Sequence, residues 1–314
     1  MLNRLNLILI IILEISQFSC AKRSNSNQEK FSDTLRLEID LRFITSTLKS
    51  RNFQHPETLN QVADYIFSEL SINCDTVYFQ NFEVNGTVYK NVIGSIGLDK
   101  SDRIVIGAHY DVAGEQEGAD DNASGVAGVL ELSRLLAKEA LKYRIDFVAY
   151  ALEEPPFFRT ENMGSHIHAK SLFEKKVNII GMICLEMIGY YNDEPNSQSY
   201  PIGFLKLFYG NKGNFITVVQ KFNNGKFGRQ IRNLMKKAGL IKTKSFRAPA
   251  FFPGVDFSDH QNYWKFGYNA VMITNTSFYR NQNYHTRADR FETLDIQRMA
   301  RVIDEVFLAI IKVR

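Results

Sequence analysis

The chain has 314 residues, of which 45% are hydrophobic and 23% are charged, a composition typical of a globular protein with a sizeable core. Its net charge is only +4, and no basic run indicates nucleic-acid binding. Three cysteines are too few for a disulfide framework, and Cys184 lies in an apolar run typical of a buried free thiol.

Residues 1–20 have the pattern of an export signal. Arg4 precedes an apolar run at 7–13, which is far shorter than the ~20 residues that a helix needs to cross a bilayer. Cys20 and the polar stretch at 21–34 resemble the lipidated cysteine and flexible tether of a bacterial lipoprotein. We therefore predict an exported protein that is periplasmic, secreted or anchored to a membrane through Cys20.

Helices and strands are predicted to alternate from residue 35 onward. Two helices come first, and Asn85-Gly86 then predicts a hairpin between strands at 77–82 and 88–96. The later predicted elements are strands at 103–108, 145–152, 179–187, 205–209, 215–219 and 268–274, and helices at 122–138, 163–175, 227–238 and 295–312. This alternation predicts one α/β domain over residues 35–314, with helices on both faces of a central sheet.

Acids and histidines follow the ends of four predicted strands. The side chains are His109 and Asp111 after the strand at 103–108, Glu153 and Glu154 after the strand at 145–152, Glu186 at the end of the strand at 179–187, and His285 in the loop after the strand at 268–274. Ligands bind outside the carboxyl ends of strands in open α/β sheets, so we expect these residues to lie together. Charges buried at a sheet edge are costly unless they are paired or bind a metal. The pattern therefore predicts a metal site.

The residue types favour zinc. Imidazole and carboxylate groups without cysteine suit zinc, and cobalt or manganese less specifically. The ligands are numerous enough for two ions bridged by one carboxylate, as in two-metal hydrolases. Glu153 and Glu154 are adjacent, and we expect one to bind metal while the other acts as a general base.

Six motifs, taken in order, resemble the co-catalytic zinc aminopeptidases of the bacterial leucyl aminopeptidase type. They are HYD at 109–111, GADDNASG at 118–125, EEPPFFRTENMGS at 153–165, LEMIGYY at 185–191, PGVDFSDHQNYW at 253–264 and YHTRADRFETLD at 284–295. The resemblance implies a mixed, mostly parallel sheet flanked by helices, two zinc ions per chain, and cleavage of the N-terminal residue of peptides by a metal-activated water.

The resemblance also implies a role for each site residue. His109 and Glu186 would bind the first zinc, and Glu154 and His285 the second. Asp120 would bridge the two ions and would be joined to Asp121 by a cis peptide bond. Glu153 would act as the general base of catalysis. Asp111 would support catalysis by a hydrogen bond to His109 on the side away from the metal.

Two other enzymes of the same fold are alternatives. A glutaminyl cyclase also carries HYD and a pair of glutamates, but it works with one zinc. A carboxypeptidase would bind the other end of a peptide. The preferred N-terminal residue and the oligomeric state are left open by the sequence.

Overall fold

A mixed sheet of eight strands runs through residues 31–314, the part of the chain that this computed structural model describes. The predicted signal at 1–20 and most of the predicted tether lie outside the described residues. The strands are β1 (Thr76–Val84), β2 (Thr87–Ile96), β3 (Arg103–His109), β4 (Arg144–Tyr150), β5 (Ile179–Glu186), β6 (Ile216–Lys221), β7 (Thr243–Ala248) and β8 (Ala270–Thr274).

Four parallel strands form the centre of the sheet. The spatial order is β1-β2-β4-β3-β5-β8-β6-β7, and the central strands β4, β3, β5 and β8 pair in parallel. The hairpin of β1 and β2 joins one side antiparallel, and the parallel pair of β6 and β7 joins the other side antiparallel. The carboxyl ends of the four central strands therefore meet at one edge.

Helices cover both faces of the sheet, because the central strands are apolar on both sides. One face packs against α1 (Thr34–Thr45), α2 (Pro56–Asn73), α3 (Gly125–Leu136), α6 (Phe227–Ala238) and α8 (Ile296–Ile310). The second face packs against α4 (Gly164–Glu174) and the short α7 (His260–Lys265). The predicted α/β class with a mixed, mostly parallel sheet is confirmed.

The predicted elements differ from the structure in three places. The segment predicted as a strand at 205–209 forms the short helix α5 (Lys206–Tyr209), and the edge strand β7 was not predicted. The helix predicted from residue 122 begins at Gly125, because residues 119–124 form a wider turn that carries site residues. Within residues 31–314, no helix combines the length and the apolar character that a membrane span requires.

Close packing between β3 and β4 fixes the two strands that lead into the site. A Cβ added to Gly107 would lie 2.4 Å from a ring carbon of Tyr150 and 2.7 Å from its hydroxyl oxygen. Tyr150 is fully buried, and its hydroxyl lies 2.7 Å from the hydroxyl of Tyr263, so the ring cannot move aside freely. Gly107 is therefore required here by the close approach of an aromatic ring.

We expect Gly107→Ala to lower the free energy of unfolding by about 1–3 kcal/mol, the usual cost of overpacking a core. Urea unfolding measures the change. Gly203→Ala is the matched control, since a Cβ there meets no atom within 4 Å, and we expect an effect within about 0.5 kcal/mol. Equal effects of the two substitutions would contradict this account of the packing.

Candidate metal centre

The ends of β3 and β4 are joined through the carboxylate of Asp111. Its two oxygens accept hydrogen bonds from the backbone N–H groups of Glu153 and Glu154, at 3.1 and 3.0 Å. His109 Nδ1 lies 3.2 Å from the backbone oxygen of Asp111 and 3.5 Å from its carboxylate. A hydrogen bond from Nδ1 leaves Nε2 of His109 as the nitrogen that faces the cluster. Asp111 thus orients three of the predicted site residues.

The carboxylate of Asp121 lies between the two histidines. Its Oδ1 is 3.5 Å from His109 Nε2, and its Oδ2 is 3.2 Å from His285 Nε2. On the first side, Glu186 Oε2 is 3.4 Å from His109 Nε2. On the second side, Glu154 Oε2 is 3.2 Å from His285 Nε2. The structure therefore brings His109, Glu154, Glu186 and His285 together, as the sequence predicts. The carboxylate at their centre, that of Asp121, was not predicted from the sequence.

The spacing of these atoms fits metal ligands. Two donors bound to one tetrahedral zinc at about 2.0–2.1 Å lie about 3.3 Å from each other. The ligand atoms of His109, Asp121 and Glu154 lie within 4.8 Å of one another. Asp121 Oδ2 and Glu154 Oε1 are buried and, within residues 31–314, accept no well-aligned hydrogen bond. Buried carboxylate oxygens in this state are costly, and a cation between them would remove that cost.

The charges of the cluster raise several pKa values. Burial raises the pKa of Glu153 well above its usual value, and the neighbouring Glu154 adds to the rise, against the opposing charge of His109. Burial and the charge of Asp121 raise the pKa of Glu154 to about 7. Burial alone would lower the pKa of His285, but its contacts with Asp121 and Glu154 raise it to about 10. Cations bound here would displace protons, so metal affinity should rise with pH.

The expectation that Asp120 bridges the two halves of the site is wrong. Its Oδ1 accepts hydrogen bonds from the backbone N–H groups of Gly189 and Tyr190, and its Oδ2 accepts them from the side-chain amides of Asn275 and Asn281. With four donors around it, the carboxylate is fully engaged away from the cluster. The cis peptide bond likewise joins Asp121 to Asn122, one residue later than expected.

Two residues that the sequence analysis missed hold the Asp121 loop in place. Asp289 accepts hydrogen bonds from the backbone N–H groups of both Asp120 and Asp121, each at 3.0 Å. Arg51 is fully buried and donates to the backbone oxygens of Tyr110, at 2.8 Å, and Gly118, at 2.6 Å. Asp289 lies inside the motif at 284–295, but nothing in the sequence around Arg51 marks it as part of the site.

Ser258 and Asn122 orient Glu186. The hydroxyl of Ser258 donates to Glu186 Oε2 at 2.6 Å, and the amide of Asn122 lies 3.4 Å from the same oxygen. Asn122 also accepts from the backbone N–H of Met187 at 3.0 Å, which fixes the turn after β5. Glu186 is therefore held through its Oε2 by two neutral donors.

We expect Asp121→Asn to lose zinc binding and Asp120→Asn to lose stability. The first removes a charge between the histidines and should abolish binding of zinc by equilibrium dialysis, with the fold retained. The second should lower the free energy of unfolding by about 3 kcal/mol, since it disrupts buried hydrogen bonds to a charged group. Zinc should still bind to the folded Asp120→Asn fraction. If Asp120→Asn lost zinc while its stability stayed unchanged, the assignment of Asp121 rather than Asp120 to the metal site would be contradicted.

Comparison with known proteins identifies the family. The protein-family model whose description is Peptidase family M28 matches residues 91–310 of this chain. Protein YfbL of Escherichia coli K12, described as uncharacterized, is 43% identical over 278 residues, which cover 86% of this chain and 85% of that protein.

Solved structures show the same fold. The LapA aminopeptidase of Legionella pneumophila has a TM-score of 0.70 at 21% identity, and the superposition covers 88% of this chain and 71% of the LapA chain. A glutaminyl cyclase of Bacteroides thetaiotaomicron has a TM-score of 0.67 at 18% identity and covers 90% of this chain and 99% of its own. The chain therefore belongs to peptidase family M28, which confirms the predicted family of zinc-dependent metalloaminopeptidases.

Proposed function

We propose that this protein is a di-zinc exopeptidase that hydrolyses the N-terminal peptide bond of peptides, with Glu153 as the general base. The observation that carries the proposal is the position of Asp121, whose two oxygens face different histidines. Each histidine has a second carboxylate beside it, so the cluster divides into two sets of ligands that share one residue.

The two sets are equivalent in chemistry. His109, Glu186 and Asp121 Oδ1 would hold one ion, and His285, Glu154 and Asp121 Oδ2 the other. Zinc bound there would supply positive charge that acidifies a water and polarises the peptide carbonyl.

The surroundings of Glu153 support its proposed role as the general base. It lies next to Glu154 in the chain, its backbone is fixed by Asp111, and its side chain is almost completely buried beside the cluster. Its carboxylate would take a proton from the attacking water and pass it to the leaving amine. The positive charge of bound ions would oppose the rise in its pKa and keep the carboxylate able to accept that proton.

An apolar cleft opens beside the cluster and would receive the first side chain of the substrate. Thr274, at its edge, is paired in register with Glu186. The ring of Phe278, which lines the cleft, lies 5.5 Å from Tyr284, and Tyr284 stacks on His285 at 3.7 Å. Among residues 31–314, those that line this cleft are all uncharged. The cleft therefore suits a large uncharged side chain next to the scissile bond.

We expect Glu153→Gln to lower kcat by about 10²–10⁴-fold, because the amide cannot accept the proton of the water. Zinc content should stay that of the unmodified protein, as measured by metal analysis of the purified variant. Glu161→Gln is the matched control, since Glu161 is an exposed acid on the same loop. Near-full activity of Glu153→Gln would exclude Glu153 as the base.

Leucyl and phenylalanyl p-nitroanilides should have kcat/KM values about 100-fold above those of aspartyl and lysyl substrates, because burying an unpaired charge in this cleft is costly. Val219 lies on the cleft wall, and Val219→Phe should reduce cleavage of the phenylalanyl substrate more than that of the alanyl substrate. Equal loss for both substrates would show that the cleft does not receive the side chain.

The same assays separate the alternatives. A chelator should abolish hydrolysis of aminoacyl p-nitroanilides, and zinc should restore it with two ions bound per chain. One tightly bound zinc with cyclisation of N-terminal glutamine would favour a glutaminyl cyclase, whose solved examples share this fold. Cleavage that persists after the amino end of a peptide is blocked would favour a carboxypeptidase.

A further inference from the structure

Positive charge is concentrated in one part of the chain. Residues 195–255 contain eleven of the 38 lysines and arginines and none of the 34 aspartates and glutamates. An even distribution of acids would place about six or seven in a stretch of this length. The small net charge of the whole chain therefore conceals a strongly basic segment, which includes β6, α6 and β7.

In the described part of the chain, the bases of this segment form no ion pair with an acid. Within residues 31–314, every ion pair uses a lysine, arginine or histidine from another part of the chain. Most of the eleven side chains are exposed. The segment thus presents unneutralised charge to its surroundings, and that charge attracts anions.

Exposed apolar side chains of the same segment are close in the chain to residues that line the cleft. We call them the apolar rim: Ile202, Phe204, Leu207, Phe208 and Phe251, with 48%, 59%, 82%, 70% and 86% of their surface exposed. Leu205 and Tyr209 line one side of the cleft, and Pro253 and Gly254 line another, so the two stretches that carry the rim border one opening. The rings of Phe204 and Phe208 are in contact, with centroids 5.1 Å apart.

Exposed bases are interleaved with the apolar rim. Lys206 lies between Phe204 and Leu207 in the chain, and its Nζ is held by the side-chain oxygen of Asn196 at 2.7 Å. Lys212 follows α5, and Arg247 is exposed on the edge strand β7. On the other face of that end of the sheet, α6 presents further bases to solvent.

We propose that the apolar rim docks this protein on a membrane that contains anionic lipids, with Lys206, Lys212 and Arg247 contacting the phosphate headgroups. Apolar side chains that enter the interface and bases that attract anionic lipids are the two contributions that hold a protein on a bilayer surface. A nucleic acid would use the bases but would leave exposed leucine and isoleucine side chains without a role.

Docking in this way turns the mouth of the cleft toward the lipid. Peptides at the membrane surface would then reach the cluster over a short path, and bulk solvent would have less access to it. The surface is independent of Cys20, which lies outside the described residues. A lipid on that cysteine and the apolar rim would act as two separate attachments to the same membrane.

The test places a fluorescent reporter in the rim of the full chain. Trp264 is the single tryptophan and is buried, so it contributes a constant signal. In Phe208→Trp, addition of vesicles of phosphatidylcholine with phosphatidylglycerol should shift the emission to shorter wavelength. Vesicles of phosphatidylcholine alone should require at least about tenfold more lipid, because the electrostatic contribution is absent. This readout reports on the rim even if the N-terminus also binds lipid.

Two control variants make the result specific. Ile72→Trp labels an exposed position of α2, which is 62% exposed and outside the rim, and its emission should not change. Lys206→Gln, Lys212→Gln and Arg247→Gln, combined with Phe208→Trp, should raise the lipid concentration needed by at least about tenfold. Thermal unfolding checks that each variant is folded.

The proposal is overturned if Phe208→Trp shows no shift, if Ile72→Trp shifts equally, or if both types of vesicle act at the same concentration. A shift caused by duplex DNA at physiological salt, with none caused by vesicles, would assign the surface to a nucleic acid and would also overturn it.

Discussion

The candidate site depends on how one carboxylate, that of Asp289, holds the backbone of another segment. By accepting the N–H groups of Asp120 and Asp121, it fixes two adjacent residues whose side chains point in different directions. Arg51 secures the same loop from the other side through the oxygen of Gly118. These contacts hold the backbone of the loop in the position at which Asp121 lies between His109 and His285.

The second constraint is electrostatic. Glu153, Glu154, Glu186 and Asp121 are all nearly or fully buried, and the free energy of such a cluster is unfavourable without positive charge. Burial raises the pKa of Glu186, as it does for the neighbouring glutamates, and the charges of Glu153 and Glu186 raise the pKa of His109 against the lowering effect of its burial. Cations bound at this edge of the sheet would therefore stabilise the cluster. Hydrogen bonds to Asp111 and from Ser258 fix the positions of the surrounding groups.

The sequence predicted the parts of the fold and site that depend on local pattern. Strand ends are visible as apolar runs that stop at acids, so His109, Glu154, Glu186 and His285 could be placed together before any coordinates. Asp120 and Asp121 could not be distinguished in that way, because both follow the same glycine and only the conformation of the turn decides which one faces the histidines. Arg51 could not be found, since it acts on backbone oxygens more than fifty residues away. The helix at 206–209 was mistaken for a strand because its apolar residues are exposed rather than buried.

The contact between Asp289 and the Asp121 loop also determines when the site can assemble as the chain is synthesised and folds. The cluster takes side chains from residue 109 to residue 285, and its supports extend from Arg51 to Asp289. Contacts so distant in sequence form late, because they require closure of long loops. All eight strands of the described sheet precede His285 and Asp289 in the chain. Peptide hydrolysis is therefore withheld until the segment that contains His285 and Asp289 has been synthesised and has packed against the sheet.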